Sequence, residues 1–130
     1  MKLLVDTHVW LWWHMRPERI AAEALALIED TRHSVFLSVV STWEVALKRP
    51  LGKLRLPAPL DTMVSESLLA DGMQALLLDH RHCFELDRLP LRHRDPFDRM
   101  LIAQARVEKM SLVTADETLA GYDVPVIRAG

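Results

Sequence analysis

The chain has only one cysteine, Cys83, among its 130 residues. A single thiol cannot form a disulfide within the chain, which is typical of proteins from a reducing compartment, so we expect a cytoplasmic location. No neighbouring residue suggests that Cys83 acts as a nucleophile. We therefore predict that it packs in the core as a small hydrophobic side chain.

Long apolar runs and a strong excess of charge are also lacking. No segment approaches the roughly 20 uncharged apolar residues of a membrane-spanning helix, so we expect no membrane partner. Asp6 interrupts the first apolar run and no small-residue cleavage site follows it, which argues against a signal peptide. The formal net charge of -2 gives the whole molecule no general attraction to polyanions, unless its charges are unevenly spread.

The residues that are present indicate a globular protein. Hydrophobic residues make up 50% and charged residues 26% of the chain, and its length predicts one domain over residues 1–130. Residues 2–5 form a short apolar run that ends at Asp6. Such a strand suits the centre of a parallel sheet, where both faces are buried. Asp6 would then lie at the carboxyl end of the strand, where open α/β sheets bind ligands.

The rest of the chain alternates between strand and helix patterns. After a short helix with Thr7 as a possible cap, further helices are predicted over residues 18–31, 41–49, 60–70, 80–86 and 96–109. Further strands are predicted over residues 35–38, 73–78, 111–114 and 124–127, the last at an edge because Pro125 cannot donate to a ladder. This order predicts an α/β fold with a five-stranded, mainly parallel sheet and helices on both faces.

Four carboxylates lie just after strands or near predicted helix starts: Asp6, Glu44, Asp98 and Asp116. Each has a structural explanation when taken alone. Asp6 and Asp116 suit helix caps, and Asp98 suits the positive end of a helix dipole. Ser41 and Glu44 have the spacing of a capping box, and Glu44 is also one turn from Lys48.

Taken together, the four acids indicate a metal site. A parallel sheet brings the ends of its strands and the starts of the following helices to one edge, where ionised carboxylates repel each other. Asp98 also shares an apolar helix face with Ile102 and Ala105. Oxygen ligands suit Mg²⁺ or Mn²⁺, which leave coordination positions to water and substrate phosphate. Hydrolysis of a phosphodiester is the chemistry that such a site favours.

The histidines and the basic residues carry weaker signals. No histidine has zinc-ligand spacing, and His80 and His82 are interpreted as a surface pair. Basic residues gather in three segments, either as solvated surface or as a rim that holds RNA phosphates around the acids; these are residues 48–55, 80–82 and 92–94. The tryptophans are expected in the core or on an oligomer surface.

At this point the chain resembles a known family. The segments LLVDTHVWLWW, STWEVALK with LGKLRL after it, RDPFDRMLIAQA and LVTADETLAGYDVPVI, in this order, are similar to PIN-domain proteins, specifically VapC-type toxins of type II toxin–antitoxin systems. The resemblance covers nearly the whole chain. It implies a PIN fold, a Mg²⁺- or Mn²⁺-dependent endoribonuclease, a homodimer, and a cognate antitoxin protein as partner.

The resemblance also implies roles for individual residues. The family's catalytic acids correspond to Asp6, Glu44, Asp98 and Asp116. Of these, Asp6, Asp98 and Asp116 are expected to bind the metal, with Glu44 as an additional ligand or a group that orients water. Thr114 corresponds to a hydroxyl beside the metal site and Thr7 is a candidate for similar work, whereas Asp95 is interpreted as a helix cap.

Two other functions compete with this interpretation. A haloacid-dehalogenase-type phosphatase also needs an aspartate at the end of a strand, but its second aspartate would fall on His8, and Ser111–Asp116 supplies no lysine. The other alternative is a non-catalytic PIN-fold module that binds RNA or protein. The complete acid set argues against it, and an assay is needed to decide.

Overall fold

A five-stranded sheet forms the centre of the computed structural model, which describes residues 1–130. Its strands run in the order β3-β2-β1-β4-β5, and all neighbours are parallel. The strands are β1 (Lys2–Val5), β2 (Ser34–Ser38), β3 (Gln74–Leu76), β4 (Ser111–Thr114) and β5 (Val126–Arg128). This arrangement confirms the predicted α/β fold with its parallel sheet.

The central strand β1 is apolar on both sides because both faces of the sheet are covered. Leu3 and Val5 belong to one hydrophobic cluster and Leu4 to the other. These three side chains are at most 1% exposed. Strand β1 pairs with β2 on one side and with β4 on the other. Asp6 therefore directly follows the central strand, which is paired on both sides.

Six α-helices surround the sheet: α1 (Thr7–Met15), α2 (Ala22–Glu29), α3 (Val39–Lys48), α4 (Leu60–Leu69), α5 (His80–Arg88) and α6 (Pro96–Glu108). Helices α1, α2 and α4 contribute to the cluster on the Leu3 face, and α6 contributes more residues than any other element to the cluster on the Leu4 face. Short 3₁₀ helices occupy Pro17–Arg19 and Glu117–Gly121. None of the helices combines the length and the apolar composition that crossing a membrane requires.

Helix α3 begins earlier than the sequence predicts. The side chain of Ser38, the last residue of β2, accepts a hydrogen bond from the backbone N–H of Val40 (3.0 Å) and caps the helix. The predicted capping box of Ser41 and Glu44 is therefore wrong, because both residues lie inside the helix. Ser38 lies three residues before Ser41, directly at the end of the strand, and its side chain satisfies one of the free N–H groups at the start of the helix.

Other element boundaries also differ from the predictions. The helix predicted over residues 18–31 is split into the 3₁₀ turn after Pro17 and helix α2, and β3 is shorter than expected. Strand β5 lies at the sheet edge as predicted, although it starts two residues later than expected. Helix α6 begins at Pro96 with Asp95 as its cap, as predicted; Asp95 Oδ1 accepts from the N–H groups of Phe97 and Asp98.

Two predictions about helix α5 are wrong. Cys83 is exposed rather than buried. His82 is not part of a surface pair, because it is 1% exposed. Its Nδ1 accepts from the backbone N–H of Asp79 (3.1 Å) and its Nε2 lies 2.8 Å from Glu108 Oε2 on α6. This capping interaction turns His82 towards α6, whereas the next residue, Cys83, faces solvent.

Candidate functional site

The predicted acids come from four separate segments at the carboxyl edge of the sheet. Asp6 directly follows β1 and Asp116 follows the neighbouring β4. Glu44 lies in the second turn of α3 and Asp98 in the first turn of α6. Asp6 and Glu44 both act electrostatically on Asp98. The fold thus gathers the four acids, as expected from its topology.

Asp6 is almost fully buried, with 3% of its surface exposed. Its Oδ1 accepts from the backbone N–H of Val9 (2.8 Å), so Asp6, and not Thr7, caps α1. Its Oδ2 accepts a hydrogen bond from the hydroxyl of Thr114. Burial raises the pKa of Asp6, although both hydrogen bonds act in the opposite direction. The carboxyl group is thus held in a fixed orientation in a poorly hydrated place.

Glu44 is also buried and already has a cationic partner. Its Oε1 accepts from the hydroxyl of Thr7 (2.7 Å), and its Oε2 is paired with the ammonium group of Lys48. This confirms the predicted pair along the helix. Burial acts to lower the pKa of Lys48, but the contact with Glu44 outweighs it and the pKa is raised. Glu44 is therefore the one acid of the four whose charge a lysine already balances.

Asp98 is the acid whose charge is least well balanced. Burial raises its pKa to about 6; His93 acts to lower it, while the negative charges of Asp95, Asp6 and Glu44 raise it further. At neutral pH most of this carboxyl group is ionised among other carboxylates. A bound cation would relieve this repulsion.

Asp116 is more exposed and is held by its own turn. Its Oδ1 accepts from the backbone N–H (2.9 Å) and the hydroxyl (2.7 Å) of Thr118, and it caps the 3₁₀ helix as predicted. Partial burial acts to raise the pKa of Asp116, but the bonds from Thr118 hold it below its ordinary value. The backbone N–H of Asp116 donates to Thr114 Oγ1 (3.0 Å). One threonine hydroxyl thus joins Asp6 and Asp116.

His93 is a member of this site that the sequence did not reveal. Its Nε2 lies 3.0 Å from Asp98 Oδ2 and 3.9 Å from Asp116 Oδ2. The ligand atoms of His93, Asp98 and Asp116 lie within 4.8 Å of one another. Asp6 lies outside this group of three. His93 follows neither helix nor strand periodicity, so the only signal for it was its place in a basic segment.

The donor set fits a divalent cation. It consists mainly of carboxylate oxygens, which hard cations prefer. Burial raises the pKa of Asp98, and the negative charges of Asp95, Asp6 and Glu44 raise it further. Some of the basic residues in the three predicted segments already have partners and are not available to bind RNA phosphates around the acids. Arg81 is paired with Asp79 and Glu108, and Arg92 donates to the carbonyl of Gly121. The other arginines and lysines of these segments, apart from Lys48, are exposed: Arg49, Lys53, Arg55 and Arg94.

Comparison with known proteins identifies the family. The family model that describes the PIN domain matches residues 3–125 of this chain. The chain belongs to the PIN-domain family. The family match and the parallel sheet agree with the resemblance seen in the sequence motifs. That residues 1–130 form a single PIN domain stays a prediction.

Two relatives of this PIN-domain chain come from Mycobacterium tuberculosis (strain ATCC 25618 / H37Rv). Ribonuclease VapC16 is 38% identical over 73 residues, which are 53% of this chain and 51% of that protein, so the match spans about half of VapC16. Ribonuclease VapC22 is 26% identical over 124 residues, which are 95% of this chain and 93% of that protein.

A solved structure shares the fold over the full length. The crystal structure of VapBC2 from Rickettsia felis, bound to a DNA fragment from their promoter, superposes with a TM-score of 0.76 at 12% identity. The match covers 100% of both chains. At this identity the likeness describes the PIN fold alone.

Proposed function

We propose that this PIN-domain protein is a metal-dependent endoribonuclease that hydrolyses RNA phosphodiester bonds, as the toxin of a toxin–antitoxin pair in the cytoplasm. The observation that carries the proposal is the gathering of four acids around Asp98, whose pKa is raised to about 6. The names of the relatives, Ribonuclease VapC16 and Ribonuclease VapC22, support the choice of reaction.

Asp6, Asp98 and Asp116 are the residues that would hold the cation, Mg²⁺ or in its place Mn²⁺. A bound divalent cation supplies charge neutralisation for the phosphate and activation of water. The protein contributes the placement of the carboxylates. Thr114 fixes the carboxyl group of Asp6 through its hydroxyl, and Thr118 fixes that of Asp116.

Glu44 has a different role in this proposal. Thr7 and Lys48 hold its two oxygens, and it is 2% exposed. We assign it to orienting the attacking water or to an additional contact with the cation. In either role, the ammonium group of Lys48 holds one oxygen of Glu44 in place and partly offsets its charge near Asp98.

RNA would approach from the carboxyl edge of the sheet. Arg49, Lys53, Arg55 and Arg94 are exposed, and guanidinium and ammonium groups bind backbone phosphates irrespective of the base. The exposed residues of the site, chiefly Asp116, would otherwise repel RNA. We therefore assign binding of the RNA backbone to the exposed basic residues and cleavage to the acidic centre.

Protein partners form a separate part of the proposal. We infer a homodimer and a cognate antitoxin, supported by the likeness of the fold to VapBC2. Helix α3 presents a stripe of exposed apolar side chains, Val39, Trp43 and Leu47, at four-residue spacing. Trp43 packs edge-to-face on Phe97, next to Asp98 (ring centroids 5.0 Å apart). This stripe is a suitable surface for a protein that covers the site.

The central test compares Asp6→Asn and Asp98→Asn with the wild-type chain. Purified proteins are incubated with RNA and Mg²⁺, and the new 5′ ends are mapped. We expect cleavage by the wild type, its loss in EDTA, and its loss in both variants. Asp87→Asn, which changes an exposed aspartate on α5, is the matched control and should cleave normally. Circular dichroism verifies that each variant is folded.

The opposite outcome identifies the non-catalytic alternative. A folded wild-type chain that binds RNA without cleaving it, with either Mg²⁺ or Mn²⁺ present, would show a PIN-fold binding module. Cleavage by Asp6→Asn at the wild-type rate would contradict the proposal that the reaction depends on these acids.

A further inference from the structure

His93 is held in place although it lies in a segment without regular structure. The hydroxyl oxygen of Tyr122 accepts from the backbone N–H groups of Arg92 (3.2 Å) and His93 (2.9 Å). The guanidinium group of Arg92 also donates to the carbonyl of Gly121. These bonds attach the segment to the end of the second 3₁₀ helix. The backbone of His93 is thus fixed next to the acids.

The imidazole ring is oriented by a chain of polar groups. The hydroxyl of Thr118 donates to Asp116 Oδ1 (2.7 Å) and lies 3.4 Å from His93 Nδ1. Because this hydroxyl donates to Asp116, its oxygen can only accept from the ring, and it does so when Nδ1 carries a proton. In the neutral ring with that proton, Nε2 has the lone pair that a cation would take. Histidines that bind metals are usually oriented in this way, with the other ring nitrogen donating to a neighbour.

The Nε2 atom faces a carboxylate oxygen, Asp98 Oδ2, at 3.0 Å. In the metal-free protein a proton lies between these two atoms, and a cation that binds both of them would replace it. Nε2, Asp98 and Asp116 converge closely enough to share one ion. We propose that His93 is a ligand of the divalent cation, through Nε2, together with Asp98 and Asp116.

This inference rests on the proposed metal-dependent function and makes it more specific. A nitrogen ligand favours a transition metal over Mg²⁺, which prefers a shell of oxygens. We therefore expect the site to bind Mn²⁺ more tightly than Mg²⁺. Removing His93 should reduce this preference, because the remaining ligands are all carboxylates.

The experiment detects nitrogen coordination directly and does not depend on activity. The full chain is loaded with Mn²⁺, and electron spin echo envelope modulation records any ¹⁴N nucleus bound to the ion. We expect imidazole modulation in the wild type, its loss in His93→Gln, and its retention in His80→Gln, which changes an exposed histidine at the start of α5. In calorimetry, His93→Gln should weaken Mn²⁺ binding by about tenfold or more and Mg²⁺ binding by a smaller factor.

Two results would overturn the inference while leaving the proposed function intact. One is Mn²⁺ binding by the wild type without nitrogen modulation, which would make His93 only a neighbour of the acids. The other is modulation that persists in His93→Gln, which would assign the nitrogen to another histidine. Failure of the wild type to bind any divalent cation would instead refute the proposed function together with the inference.

Discussion

Thr114 joins two of the candidate metal ligands through a single hydroxyl group. The hydroxyl donates to Asp6 Oδ2 and accepts from the backbone N–H of Asp116. It is fully buried. No solvent is available to replace either bond, so the position of both acids depends on this oxygen.

Replacing Thr114 with valine keeps the shape of the side chain and removes both hydrogen bonds. We expect loss of RNA cleavage and a decrease of about 1 to 3 kcal/mol in the free energy of unfolding, because buried polar groups lose their partner. Thr114→Ser retains the hydroxyl and should restore cleavage. Urea unfolding and the nuclease assay measure the two effects. Wild-type cleavage by Thr114→Val would show that the hydroxyl is dispensable.

The raised pKa of Asp98 predicts that, in the absence of metal, the protein becomes less stable as the pH rises. The pKa of Asp98 in the folded protein is about 6, against 3.8 in the unfolded chain, so the folded state binds more protons between these values. Stability therefore decreases as pH rises from about 4 to 6, by up to about 3 kcal/mol. Asp98→Asn removes this titration. In EDTA at pH 7.5 the variant should be more stable than the wild type by about 1 to 3 kcal/mol.

Urea unfolding at several pH values checks this prediction. At pH 4 the two proteins should differ little, since Asp98 is protonated in the folded wild type. Added Mn²⁺ should then stabilise the wild type far more than Asp98→Asn, because only the wild type keeps the carboxylate. A variant that is less stable than the wild type in EDTA at pH 7.5 would contradict the raised pKa.

At the scale of elements, the backbone N–H groups of the segment that carries His93 are held by one phenol oxygen. Tyr122 is buried, and its hydroxyl accepts two backbone N–H groups. Tyr122→Phe keeps the ring and removes the acceptor. We expect faster hydrogen exchange at the amides of Arg92 and His93, a stability loss of about 1 kcal/mol, and weaker binding of Mn²⁺. Unchanged exchange at these two amides would show that other contacts hold the segment.

Elements were predictable where sequence signals agreed with each other. The run of residues 2–5 and the Asp95-Pro96 start of α6 were predicted correctly, since burial and capping chemistry favour a single structure. Helix α3 was not, because Ser38 and Ser41 both offer a cap and only the end of β2 selects between them. The side chain of Cys83 was misplaced for a similar reason: the interaction of His82 with α6 sets the rotation of α5.

The site shows the same division between local and long-range information. The topology of a parallel sheet was sufficient to bring the four acids to one edge. His93 could not be found in this way, since its position depends on a hydroxyl group 29 residues further along the chain. Lys48 was recognised as a possible partner of Glu44, but its effect on the charge of the site required the burial of both groups.

At the scale of the whole molecule, much apolar surface is exposed. Trp43 is 52%, Leu69 84% and Leu77 70% exposed. Surfaces of this kind favour association, and we expect sedimentation equilibrium to give twice the mass of one chain. Trp43→Ser should weaken binding of the antitoxin without changing RNA cleavage. A monomer at all concentrations would contradict the homodimer, and unchanged antitoxin binding would exclude the α3 stripe.

The hydrogen bond between Thr114 and Asp6 joins residues that are 108 positions apart. During synthesis, Asp6 is made early, and almost the entire chain must follow before Thr114 can donate to it. Under the proposed function, an incomplete chain on the ribosome has neither Thr114 nor Asp116 and cannot cut RNA. On that proposal, RNA cleavage can begin only after β4 has left the ribosome, so a cognate antitoxin made beforehand would meet the site as it forms.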